Sequence, residues 1–340
     1  MINYSELSSH DDTYCILGII VNRGQGKKIF QFARRIGFSK ANCLLGEGRS
    51  SRSNRILEFL ALDEVDKEVI LLGVKSQQGQ EMLSKLEKEF NFDKPNKGIA
   101  FMMPVSYPGT FDREYVPESP YVNVMIILNE NVADDFGNFV QEHGFSGLTM
   151  IKARGAASII HPLMGIQVES AKVVAMMIVP RSKMEHLIYL VSQRFNLATE
   201  NTGVLAVQPI SRLVGIVQDE KDDLSMNPSA PEPIIKQMVV ALVPHGSAEE
   251  YLHNVKKLGV SGSTIIHSRL ANLSPNSEGL LPIGIDAEED MVITLASHEL
   301  ASKIRHELSR QTFENQVEKP YAFSFPVIRT EGIRAEGFGE

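Results

Sequence analysis

An arginine beside closely spaced glycines can hold an anion. Small residues leave backbone N–H groups exposed, and a guanidinium offers a fork of donors to phosphate or carboxylate. The chain has this combination at Gly46-x-Gly48-Arg49, which reads as a glycine-rich turn at the end of a strand. Arg52 and Arg55 continue the arginines at every third residue, among Ser50, Ser51, Ser53 and Asn54. That stretch can clamp an anion, dock on an acidic partner surface, or form a solvated loop. Other chemistries have less support. The nine histidines include no pair at metal-ligand spacing with a third candidate close in sequence, and His298-Glu299 lacks the second histidine of a zincin helix, so no metal is expected. No nucleophile-elbow pattern organises the serines, histidines and acids, and the chain does not read as an enzyme. Cys15 and Cys43 are the only cysteines; each lies in an apolar run and reads as a buried free thiol.

The charge balance is consistent with a local anion site. The formal net charge of -8 over 340 residues argues against non-specific nucleic-acid binding, which depends on phosphate neutralisation. Residues 13–105 nevertheless hold 15 Lys or Arg against 10 Asp or Glu, a net of +5, which leaves -13 for the rest. No stretch approaches the roughly 18–20 apolar residues of a membrane span, and the N-terminus lacks a signal-peptide pattern, so a cytoplasmic protein is expected.

The elements that position these residues come in three copies. Gly37-Phe38-Ser39, Gly144-Phe145-Ser146 and Gly259-Val260-Ser261 lie 107 and 115 residues apart. Further on, Pro104, Pro209 and Pro326, each inside an apolar segment, keep spacings of 105 and 117. Each copy opens with a β-branched apolar run (14–21, 122–128, 238–243) followed by a helical period such as Ile29, Phe32, Ala33 and Ile36, or Val132, Phe136, Phe139 and Val140. Capping-box spacings appear at Ser182/Glu185 and Ser247/Glu250, and each first helix should end at its landmark glycine. A second strand, a polar loop, a third strand, a second helix and a final strand complete the unit. The order is β-α-β-β-α-β. It predicts an α/β (α+β) chain of three tandem ferredoxin-like domains, each with a four-stranded antiparallel sheet and both helices on one face. The strands are nearly continuously apolar, so the uncovered sheet faces should meet around a pseudo-threefold axis as a single-chain pseudo-trimer. The expected boundaries are an N-terminal arm (1–12), repeat 1 (13–109), a linker (110–120), repeat 2 (121–216), a linker (217–233), repeat 3 (234–333) and a tail (334–340).

Three segments of the first copy, Asn22-Arg23-Gly24-Gln25-Gly26-Lys27-Lys28, Gly46-Glu47-Gly48-Arg49 and Lys94-Pro95-Asn96-Lys97-Gly98-Ile99-Ala100-Phe101, resemble the divergent branch of the PII nitrogen-regulator superfamily. The resemblance implies clefts between neighbouring units that take an adenine nucleotide (ATP, ADP or AMP) as effector. It also implies loops between strands two and three that signal to a transporter, enzyme or regulator; here these are Ser50–Asp66, Ala156–Glu169 and Ala271–Glu288. The ligand residues it suggests are Gly46, Gly48, Arg49, Lys97, Gly98, Arg154, Arg212 and Arg329, with Arg52 and Arg55 in a partner-docking loop. Pro95-Asn96-Lys97-Gly98 stands where the best-known members have glycine, aspartate, glycine and lysine, and no loop carries their modified tyrosine. An alternative reading follows from those departures: a constitutive scaffold or interaction protein that has lost ligand binding.

Overall fold

The computed structural model describes residues 14–38, 40–49, 64–94, 97–107, 114–116, 119–160, 167–199, 201–215, 232–272, 285–311 and 320–333. These form a mixed α/β structure with a 14-stranded antiparallel sheet, a separate two-stranded ribbon and six α-helices among the described residues. The first third of the chain contributes β1 (Tyr14–Asn22), α1 (Gly26–Arg35), β2 (Lys40–Arg49), β3 (Glu64–Lys75), α2 (Ser76–Phe90) and β4 (Ile99–Val105). After β5 (Tyr115–Val116) come β6 (Tyr121–Asn129), α3 (Ala133–Glu142), β7 (Leu148–Ile160), β8 (Gln167–Pro180), α4 (Arg181–Arg194), β9 (Gly203–Pro209) and β10 (Arg212–Val214). After β11 (Glu232–Pro233) come β12 (Lys236–Pro244), α5 (Ala248–Lys256), β13 (Thr264–Asn272), β14 (Ile285–Ala296), α6 (His298–Leu308), β15 (Tyr321–Val327) and β16 (Arg329–Glu331).

The same antiparallel order recurs in each third: β4-β1-β3-β2, β9-β6-β8-β7 and β15-β12-β14-β13. Side chains alternate across a strand, and that explains why the strands are apolar throughout. On β1, Cys15, Leu17, Ile19 and Val21 pack under the helices, while Ile16 and Ile20 face the other way. Three clusters lie between sheet and helices, one in each third. A fourth gathers residues from all three, including Val69, Phe101, Met176, Ile178, Phe323 and Phe325, on the faces the helices do not cover.

Two sets of strand pairings join the thirds. The second strands meet in a triangle: the end of β2 pairs with the start of β7 (Arg49↔Leu148), β7 with the start of β13 (Gly155↔Thr264), and β13 with the start of β2 (Asn272↔Lys40). Each closing segment also reaches a neighbour's last strand. β10 pairs with β4 (Arg212↔Met102), β16 pairs with β9 (Arg329↔Val207), and Ser106 forms a two-way backbone bridge with Ser324 on β15.

Several local expectations hold and others do not. Gly37, Gly144 and Gly259 end the first helices at φ of +94°, +78° and +101°, the left-handed region where a side chain would be strained. The two capping boxes are absent. α4 begins at Arg181, which places Ser182 inside the helix, and Ser247 precedes α5 without a side-chain cap bond. Ser297 is the residue that caps, accepting from the Leu300 N–H at the start of α6. The expected loops 156–169 and 271–288 are shorter than the sequence suggested. β7 continues to Ile160 and pairs with β8 from Gln167 after a bulge, and β13 and β14 extend to Asn272 and from Ile285. The expected linkers are not wholly unstructured either, because β5 and β11 pair with each other (Val116↔Glu232), and Arg181 forms an ion pair with Glu232. Among the described residues, no helix is long and apolar enough to cross a membrane.

Candidate functional site

The expected turn at Gly46-x-Gly48-Arg49 is not a turn. These residues are the last four of β2, in regular register with β3 (Gly46↔Lys67, Arg49↔Glu64). Their glycines serve close packing. A Cβ on Gly46 would lie 2.8 Å from the Met150 carbonyl oxygen of the second third, and one on Gly48 would lie 2.2 Å from Cε of Lys67. Arg49 does not face an open cleft. Its side chain is 6% exposed; Nη2 donates to Asp134 Oδ1 at 2.6 Å and Nη1 to Asn138 Oδ1 at 3.0 Å, both on α3 of the next third. Arg154 behaves alike, with an ion pair at 2.6 Å to Glu249 on α5 of the third after. Two of the four arginines expected to bind ligand, Arg49 and Arg154, therefore tie consecutive thirds together, because the triangle of strands carries their side chains onto the neighbour's first helix.

Lys97 is exposed, and Gly98, at φ +133°, packs against the Ile20 carbonyl oxygen. Arg212 is exposed on β10 beside Met102. Arg329 lies 3.5 Å from Glu331 and 3.8 Å from Glu185. Arg52, Arg55 and most of the loop 50–66 lie outside the described residues, as do the whole arm 1–12 and the whole tail 334–340. Cys15 and Cys43 are buried free thiols, pushed by burial to about 11 and about 12.

A pair of lysines that the sequence reading did not single out occupies equivalent strand positions in the first two thirds of the sheet. On β3, Lys67 lies across Gly48 and donates to Asn22 Oδ1 at 2.6 Å; on β8, Lys172 lies across Gly155 and donates to Asn129 Oδ1 at 2.6 Å. The pairs are equivalent in register, Asn22↔Lys67 and Asn129↔Lys172. Both lysines are half-buried, and desolvation holds each below the usual lysine range. Neither ammonium has a carboxylate partner among the described residues. The third copy departs from the pattern, with Pro244↔Glu289 at the equivalent position.

The second third flanks the Lys67 site on both sides. At the β2 edge stand Leu148–Met150; at the β4 edge, Gly215 approaches the Gly98 carbonyl so closely that a Cβ would lie 2.4 Å from it. The Lys172 site is flanked in the same way by β13 and by Gly332, whose Cβ would lie 2.3 Å from the Gly203 carbonyl. A signal for these lysines was present in the repeat: Val21-Asn22 matches Leu128-Asn129, and Lys67-Glu68-Val69 matches Lys172-Val173-Val174. Only strand register shows that each Asn meets its Lys.

No protein-family model matches the chain, and no curated protein matches it in sequence. Among solved structures, the aspartate kinase from Synechocystis is similar over 93% of this chain and 45% of its own, at 11% identity and a TM-score of 0.20. This chain thus spans less than half the length of that protein, and a TM-score so low carries no argument about fold or activity. The resemblance to PII regulators finds no counterpart in these comparisons.

Proposed function

We propose that the chain is a single-chain pseudo-trimer of ferredoxin-like, PII-like units, a ligand-sensing regulatory protein and not an enzyme. It takes an anionic small molecule, with an adenine nucleotide as first candidate, at the junctions between units and signals to a partner protein. One observation carries the reading. Two equivalent junctions each hold a half-buried ammonium bound only to an amide oxygen among the described residues, so its charge is left to be balanced by something else. The exposed Lys97 and Arg212 add positive charge on the β4 side of the first junction.

The test is calorimetry and thermal shift with ATP, ADP, AMP and 2-oxo acids. A ligand at about 100 times its Kd stabilises the fold by roughly 2.7 kcal/mol. The expected result is a shift with one of these anions, weakened in Lys67→Met and Lys172→Met. Absence of any shift, or binding unchanged in the double variant, overturns the reading. A constitutive scaffold is then favoured, and the structure offers one observation for it: Arg49 and Arg154 are both engaged in joining units.

A further inference from the structure

The third copy carries different chemistry at the equivalent sheet end, on the face under the helices. Strand register makes Asp290 the counterpart of Glu68 and Val173, since Val243↔Asp290, Val21↔Glu68 and Leu128↔Val173. In the first copy Glu68 accepts from the N–H groups of Gly24 and Gly26, and Arg23 pairs with Asp66 in solvent. In the third copy Asp290 keeps the turn-binding role, accepting from the Gly246 N–H at 2.9 Å. Around it the neighbours have changed. His245 stands in place of Arg23, His267 in place of Leu45, and Glu288 in place of Asp66.

These four side chains converge. Asp290 Oδ1 is 3.1 Å from His245 Nδ1 and 3.7 Å from His267 Nδ1, and Glu288 Oε1 is 3.8 Å from His267 Nε2. The two imidazoles meet edge to face with centroids 4.7 Å apart. One ligand atom from each of His245, His267 and Glu288 falls within a span of 4.8 Å. Donors at about 2.0–2.2 Å from a tetrahedral ion lie roughly 3.4 Å from one another, so small side-chain rotations bring this set to coordination distance. The three converging groups are about half exposed, whereas Asp290 is 3% exposed. The cluster is therefore open on its solvent side and anchored at its base. A buried carboxylate hydrogen-bonded to one imidazole, His245, and beside a second, His267, is the kind of arrangement that orients histidines behind metal ions, and two carboxylates match a divalent charge.

We infer that His245, His267 and Glu288 form a binding site for a divalent transition-metal ion of the zinc, cobalt or nickel class, with Asp290 as the positioning residue. Two imidazole nitrogens select that class over magnesium and calcium, which prefer all-oxygen ligand sets. The ion would clamp the turn before α5 onto the β13–β14 pair.

The test uses the full-length, tag-free protein, stripped with chelator and titrated with Co2+ and then Zn2+. The expected result is the visible absorption of four- or five-coordinate cobalt saturating at one equivalent, displaced by Zn2+ and unaffected by excess Mg2+. A thermal stabilisation should accompany it. His267→Ala should abolish the band, and Asp290→Asn should weaken affinity about 10- to 100-fold. Should His267→Ala fail to fold, Glu288→Gln at an exposed position serves instead and should also lose affinity. No band at one equivalent, displacement by Mg2+, or a band undiminished in the folded variants overturns the inference. Lys67→Met should leave the cobalt band intact, so this site and the anion site fail separately.

Discussion

Two kinds of cation have opposite roles at the unit junctions. Arg49 is buried and bonded to Asp134, which is itself 89% exposed. Removing the arginine leaves the aspartate in water and not stranded, so Arg49→Ala should cost the charge-assisted bonds, about 1.5–3 kcal/mol, plus the packing of its buried side chain against Gly137. Chemical denaturation checks this. Anion affinity should remain at the level of the parent protein, and a loss of affinity at unchanged stability would reassign Arg49 to the ligand. Lys67 and Lys172 are the reverse case. Burial lowers their folded pKa below the unfolded value, so in the free protein their charging opposes folding. That penalty is fully present below the folded pKa and is relieved as pH rises from the folded pKa to the unfolded one. An anion favours the charged form, so anion affinity should fall as pH rises through a midpoint below that of an exposed lysine. Calorimetry across the alkaline range reads that midpoint, and a flat profile would remove the ammonium from the site.

At the scale of elements, each short closing strand depends on one glycine. Gly215 and Gly332 sit at φ +95° and +77°, each with a neighbour's carbonyl oxygen where a Cβ would go. Alanine there meets both the left-handed penalty of about 1–2 kcal/mol and a backbone clash. Gly332→Ala should therefore detach β16 from β9, which faster amide exchange over 329–331 and a lower unfolding midpoint would record. Gly262→Ala, with nothing within 4 Å of its Cβ position, should be close to neutral and serves as the control.

For the whole molecule, the closed ring of pairings means that no third is complete alone. The central cluster takes residues from all three parts, among them Met238, Val240, Phe323 and Phe325 from the last. β13 completes the strand triangle by pairing with both β2 and β7. A chain ending at residue 231 would expose one side of that cluster and the edges of β2, β7 and β9, both routes to self-association. Size-exclusion chromatography should find it aggregated or oligomeric, with strong binding of a hydrophobic dye. A monodisperse truncated monomer with cooperative unfolding would show that the central cluster is not needed for folding.

The sequence alone determined the local units: the spacing of Gly37, Gly144 and Gly259, the apolar runs and the helical faces mark strands, helices and helix ends, because those signals are written in adjacent residues. It also correctly read Cys15 and Cys43 as buried thiols. Its account of the site was the weaker part, for a physical reason. Whether Gly48 exposes an amide to a phosphate or makes room for a lysine stem depends on what lies across from it, and that is Lys67, 19 residues away on another strand. Arg49 was legible as an arginine near glycines, but its engagement with Asp134 exists only because β2 pairs with β7. His245, His267 and Glu288 lie 22 and 21 residues apart and match no ligand spacing. Antiparallel register, by setting His267 opposite Asp290, is what brings them together.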